Sequence, residues 1–160
     1  GGVPVMSKTG HAFIKERMRA EDAIYGGEMS GHHYFREFGY CDSGMIPLVL
    51  MLQIIGGSHQ PLSDFIADAQ ARFPVSGEIN RVVDDPAAML KSITAYYQPQ
   101  SPQYDDCDGV SLAFADWRFN LRASNTEPLL RLNVETRGDT GLLAAKTAEV
   151  LAFIATKEVL

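Results

Sequence analysis

Cysteine is scarce: Cys41 and Cys107 are the only two in 160 residues. They lie far apart and form no Cys-x-x-Cys pair, which excludes a disulfide framework or a cysteine-based zinc knuckle and suits a reducing cytoplasm. Long apolar runs are missing as well. The longest, Met45 to Ile55, is interrupted by Pro47 and Gln53 and is too short to span a bilayer, and no basic, apolar signal opens the sequence. Positive charge is in deficit, with 14 Lys and Arg against 20 Asp and Glu for a net charge of −6. That argues against a broad footprint for nucleic acid or an anionic membrane, while leaving room for a small anion on a local patch. The nucleophile elbow G-x-S-x-G, the dinucleotide fingerprint G-x-G-x-x-G, and the His-x-x-His and Asp-x-Asp-x-Asp patterns are all absent. Asp105-Asp106-Cys107-Asp108 reads as a solvated acidic turn, so no metal ligands are expected in this chain.

What is present is a real core, with 46% hydrophobic and 9% aromatic residues, enough for one ordinary domain or two small units. Gly1 to Met6 lacks an initiator methionine and reads like the inside of a domain, so the chain is expected to be a fragment, with Val3 to Met6 as a short buried strand. A helix over Ala12 to Ala20 follows, then strands at Ala23 to Gly26 and Tyr34 to Phe38. Asp42-Ser43-Gly44 reads as the start of a helix running to Gly56-Gly57, apolar on most sides and therefore expected to be buried. Residues 57–61, Gly-Ser-His-Gln-Pro, make the best hinge, separating a unit 1–56 from a unit 62–160. In the second unit a short helix over Leu62 to Arg72 precedes a strand over Val75 to Val83, and Asp85-Pro86 caps a helix to Tyr97. Strands at Gln103 to Asp106, Gly109 to Phe114, Trp117 to Arg122 and Leu129 to Thr136 come next, and Asp139 caps a last helix. An α/β segment followed by an α+β unit is the expected fold class.

Three polar clusters fall in turns: Lys8 to His11, Glu28 to His32, and Arg122 to Pro128. Arg122 offers a planar fork for two phosphate oxygens, and Ser124, Asn125 and Thr126 add donors and turn-forming backbone. From Trp117 to Thr126 there are two arginines, Arg118 and Arg122, and no acidic residue. Glu28, Ser30 and His32 combine an acceptor, a hydroxyl and an ambivalent imidazole, a set able to bind a polyhydroxylated sugar. Spacing alone fits an ordinary hairpin turn equally well in both places.

Gly27-Glu28-Met29-Ser30-Gly31-His32 and Arg122-Ala123-Ser124-Asn125-Thr126-Glu127-Pro128 together resemble the sugar-binding and phosphate-binding loops of the α-D-phosphohexomutases, and Thr9-Gly10-His11 is similar to a turn carrying another active-site histidine of that family. Met29 and Asn125 point to its bacterial phosphomannomutase branch. The resemblance implies the later part of the family's third domain followed by its fourth, a TATA-binding-protein-like α+β unit with a four-stranded type of antiparallel sheet and two helices. It implies a reaction interconverting hexose 1-phosphate and 6-phosphate through a hexose 1,6-bisphosphate, with a phosphoserine and Mg2+. Glu28 and Ser30 would hold sugar hydroxyls, His32 and His11 would face the transfer site, and Arg122, Ser124, Asn125 and Thr126 would clamp the non-reacting phosphate. The implied partners are mannose or glucose phosphates and N-terminal domains of the same protein. The family's phosphoserine loop T-A-S-H-N-P and Mg2+ loop D-G-D-G-D-R do not occur in these residues, so this chain alone is expected to be inactive. The competing expectation is a non-catalytic sugar-phosphate-binding module.

Overall fold

A computed structural model describes residues 1–124 and 127–158, and the chain divides into two compact units, Gly1–Phe65 and Ile66–Leu160. In the first, helix α1 (His11–Ala20) follows Gly10, whose φ of 126° disfavours any side chain. Ile14 and Met18, one helical repeat apart, are its buried face and pack with Tyr34 into a small core flanked by Ala23 and Tyr40. Strands β1 (Tyr25–Gly27), β2 (His33–Phe35) and β3 (Cys41–Asp42) form an antiparallel sheet in the order β1-β2-β3. The helix lies so close to β1 that a Cβ on Gly26 would stand 2.7 Å from Met18 Sδ.

Several expectations for this unit need correction. Val3 to Met6 forms no strand, and Val3, Val5 and Met6 are exposed, because no described strand pairs with them. The strand expected to reach Phe38 stops at Phe35, where a 3₁₀ turn (Arg36–Phe38) closes with Gly39 N–H donating to Arg36 O at 2.9 Å, and Gly39 and Tyr40 take positive φ. Helix α2 (Met45–Ser58) runs through Gly56 and Gly57 instead of stopping there, and ends at His59 in left-handed conformation. No residue of α2 is buried, against the expectation of burial on most sides, and Leu52 is 61% exposed. An apolar composition shows that a helix can be covered, and says nothing of where in the polypeptide its cover lies.

Helix α3 (Leu62–Arg72) spans the division between the units. Beyond it come β4 (Ile79–Val82), α4 (Pro86–Tyr97), β5 (Gln103–Asp105), β6 (Val110–Ala113), β7 (Trp117–Ala123), β8 (Leu129–Thr136) and α5 (Thr140–Glu158). The five strands form one antiparallel sheet in the order β4-β8-β7-β6-β5, one strand more than the four-stranded type, with β4 as an added edge. The expected long strand from Val75 is split: Val75 makes an isolated bridge to Glu135, and Gly77 at φ 69° breaks the run before β4.

Both longer helices are capped by aspartate. Asp85 accepts the Ala88 N–H at 2.9 Å with Pro86 in the first turn, and Asp139 accepts the Leu142 N–H at 2.8 Å. Their apolar faces, Met89, Ile93 and Tyr97 on α4 and Val150 and Ile154 on α5, share one core with Phe119, Leu121, Leu130, Leu132 and Val134 of the central strands. Burial along β8 alternates residue by residue, so Arg131, Asn133 and Glu135 fall on the other, polar face. On that face Arg118 registers with Glu135, Asn120 with Asn133, and Arg122 with Arg131.

Candidate functional site

Glu28 to His32 is the loop of the β1–β2 hairpin, closed by Glu28 N–H to His32 O and Gly31 N–H to Glu28 O, both 2.9 Å. Gly31 sits at φ 86° with open space around it, so backbone conformation alone reserves that position for glycine. His32 Nδ1 lies 2.7 Å from Asp42 Oδ2, while the other oxygen of Asp42 accepts the His33 N–H at 2.9 Å. The hydrogen bond with His32, followed by the His33 amide, holds the Asp42 carboxyl below its ordinary range. A carboxylate at that distance takes the Nδ1–H and so fixes the imidazole tautomer, leaving Nε2 as the nitrogen that Asp42 does not engage.

The ring of His11 meets that of His32 edge to face, centroids 4.5 Å apart, and meets Tyr34 at 5.4 Å. Tyr34 is buried, and its phenol donates a hydrogen bond to Glu28 Oε1. Burial first, then the Glu28 carboxylate, push the Tyr34 phenol well above its ordinary value, which keeps it a donor. His11 and the Glu28–His32 loop are thus brought together from two separate stretches, with Tyr34 and Asp42 as supports. Ser30 sits exposed at the loop tip. His33 points elsewhere, its Nδ1 2.6 Å from the Tyr25 hydroxyl.

Asp42 is the residue whose role sequence reasoning missed. Asp42-Ser43-Gly44 does precede α2, but there Ser43 Oγ accepts the Ile46 N–H at 3.2 Å, and the Asp42 carboxylate is left for His32. Among the described residues one set places three ligand-type atoms within 4.8 Å of one another: His11, His32 and Asp42. Two imidazoles and one carboxylate do not suit Mg2+, which takes oxygen donors in near-octahedral array. The Asp105 carboxylate is engaged locally, accepting the Cys107 N–H at 2.8 Å.

In the second unit Arg122 lies near the end of β7, partly buried, and Ser124 follows it, its N–H donating to Leu129 O at 2.9 Å. Asn125 and Thr126, the other two residues expected to hold phosphate, lie outside the described residues. Arg118 does not join Arg122 in a positive window, because it is bound two-pronged to Glu135 at 2.9 and 3.0 Å. Arg122 in turn faces Glu78, Nη2 to Oε2 3.6 Å, and Glu78 also takes Arg131 Nη1 at 3.2 Å. Behind Arg122 the chain passes through Gly109 at φ 78°, where a Cβ would stand 2.6 Å from both Arg122 Cβ and Leu121 O. Only glycine fits there, and the Asp108-Gly109 turn signal was the visible trace of it. Glu78 and Arg131 left no local signal, since their meeting depends on strand register.

Residues 1–73 match the family description "Phosphoglucomutase/phosphomannomutase, alpha/beta/alpha domain III", and residues 78–153 match its C-terminal domain. The chain is 59% identical over 154 residues to a phosphomannomutase of Escherichia coli, covering 96% of this chain and 34% of that protein. It is 58% identical to a phosphomannomutase of Salmonella montevideo with the same coverage, and 58% identical over 150 residues to phosphohexose mutases of Xanthomonas campestris. The chain therefore spans about a third of the length of the curated relatives it matches. A phosphoglucomutase/phosphomannomutase family protein from Burkholderia thailandensis shares the fold, with a TM-score of 0.71 at 24% identity over 94% of this chain and 32% of its own.

Proposed function

The chain belongs to the phosphoglucomutase/phosphomannomutase family, and from that premise we propose that it is the sugar- and phosphate-recognising C-terminal region of a phosphomannomutase. The reaction is the interconversion of mannose 6-phosphate and mannose 1-phosphate, serving GDP-mannose and surface polysaccharide synthesis in the cytoplasm. Mg2+, the phosphoserine and the hexose 1,6-bisphosphate intermediate belong to the whole enzyme, since the one three-ligand set among the described residues, His11, His32 and Asp42, does not suit Mg2+. The observation that carries the reading is the meeting of His11 with the Glu28–His32 loop over Tyr34 and Asp42.

In this reading Glu28 and Ser30 hold sugar hydroxyls. One Glu28 oxygen is fixed by the Tyr34 phenol, so the carboxylate meets the sugar with its rotamer already set. His32, its tautomer held by Asp42, exchanges a proton with the hydroxyl that gains or loses the phosphoryl group, and His11 lies against its ring. Arg122, Ser124, Asn125 and Thr126 hold the phosphate that is not transferred, whose binding energy orients the reacting end. The proposed unit boundaries are 1–56 and 62–160 around a hinge at 57–61, a few residues ahead of the division between compact units at Phe65 and Ile66. Support for that hinge is the end of α2 at Ser58 and the left-handed His59 before Pro61.

Calorimetric titration of the chain with mannose 1-phosphate tests the assignment. Truncating Arg122 to Ala weakens binding by about 1.5 to 3 kcal/mol, the scale of a hydrogen bond to a charged group. Glu28→Ala lowers affinity for mannose 1-phosphate but not for inorganic phosphate. Unchanged affinity in both variants would refute the roles given to these residues.

A further inference from the structure

The polar face of the five-stranded sheet carries a conflict that the fold does not require. Arg122 on β7 and Arg131 on β8 are register partners, two like charges directly opposite each other, which costs stability unless an anion lies between them. Glu78, just before β4, is that anion, with one oxygen 3.2 Å from Arg131 Nη1 and the other 3.6 Å from Arg122 Nη2. All three side chains are partly buried, at 22%, 31% and 29% exposure for Arg122, Arg131 and Glu78, so their charges are only partly screened.

The two contacts are unequal. Arg131 makes a hydrogen bond to Glu78, while the Arg122 contact is longer than a charge-assisted hydrogen bond at about 2.7 to 2.9 Å. The two cations and one anion leave the group with one net positive charge. Arg131 Nε is moreover buried without a hydrogen-bond partner, so one guanidinium N–H remains unsatisfied. Such a group is a clamp already partly filled, and it holds its resident more firmly by Arg131 than by Arg122.

We propose that Glu78 and Arg131 belong to the anion clamp, Glu78 as the resident carboxylate that an incoming phosphate displaces from Arg122, and Arg131 as the positioning residue that retains Glu78 when it is displaced. The inference rests on the reading of Arg122 as a phosphate ligand. Its consequence is that affinity at this site is set by competition: phosphate gains Arg122 only by overcoming a carboxylate a few ångströms away, and Arg131 offsets that repulsion.

Titration of the isotopically labelled chain with inorganic phosphate and with mannose 1-phosphate, followed by amide NMR, tests this with the variants Arg122→Gln, Glu78→Gln and Arg131→Met. Glu78→Gln tightens phosphate binding by about threefold to fivefold, the scale for removing one partly exposed like charge. Arg131→Met weakens it by a similar factor, because the whole charge of Glu78 then falls on Arg122, and the double variant binds like Glu78→Gln, since without that charge Arg131 has nothing to retain. A residue that merely supports the sheet gives the opposite sign at Glu78→Gln, and weakened or unchanged binding there overturns the inference. This near-isosteric variant decides the question even where Arg131→Met fails to fold. Loss of binding in Arg122→Gln alongside an unresponsive Glu78→Gln would refute the competition alone, whereas parent-like binding in Arg122→Gln would refute the phosphate reading and the competition with it.

Discussion

Asp42 shows how one side chain decides what a histidine can do. Its two oxygens serve different partners, His32 Nδ1 at 2.7 Å and the His33 amide at 2.9 Å, so that loop and strand are tied at one carboxylate. A carboxyl whose native value is depressed contributes stability above its unfolded value, near 3.9, and loses it as pH falls through the native value. Carboxyl-detected NMR of Asp42 should therefore give a midpoint below the ordinary aspartate range, and His32→Asn should raise it. A midpoint unaffected by His32→Asn would mean the pairing does not persist in solution. Glu28 and His32 were legible as candidates from residue type and glycine spacing. Their supports, Tyr34 and Asp42, were not, because a tyrosine in an alternating strand and an aspartate before a helix each have a sufficient local explanation.

Among the elements, the strand register of the second unit carries most of the functional placement. The alternation from Leu129 to Thr136 was readable in sequence and matches the burial of β8 residue by residue. Which arginine stands opposite which was not readable, since a shift of one residue would send Arg131 to the core and leave the hydrophobic count unchanged. Gly109 fixes the approach of the β6 end to β7 at Arg122. Gly109→Ala puts a Cβ 2.6 Å from Leu121 O and Arg122 Cβ at a positive φ, where neither backbone nor Cβ can step aside cheaply. A loss of about 2 to 4 kcal/mol in denaturant unfolding is expected, combining overpacking with backbone strain. Amide shifts should centre on Arg122, and a loss under 1 kcal/mol would show that the turn has room to move. The first unit was less legible for a physical reason. Its strands are two or three residues long, below the length at which period-two patterning separates from chance, and Arg36 to Phe38 alternates like a strand while folding as a 3₁₀ turn.

For the molecule as a whole, the proposal puts two binding loops on two compact units, in a chain that spans about a third of its relatives' length. The T-A-S-H-N-P and D-G-D-G-D-R sequences are absent from its 160 residues, so a coupled mutase assay of the purified chain should stay at background. Turnover above background would contradict the assignment of phosphoryl chemistry to other parts of the enzyme. The fold class and the succession of helices and strands in the second unit were open to sequence reasoning because one core buries both helices and the sheet within the chain. The exposure of α2 was not, since its apolar residues find no cover among the described residues. The most direct test of the central claim is an amide NMR titration of the chain with mannose 1-phosphate, with free mannose and inorganic phosphate as controls. Shifts at Arg122 and Ser124 with both phosphate ligands, and at Glu28 to His32 only with the sugar phosphate, are the predicted result. A silent spectrum at both loops at millimolar ligand, or shifts confined to residues outside them, would contradict it.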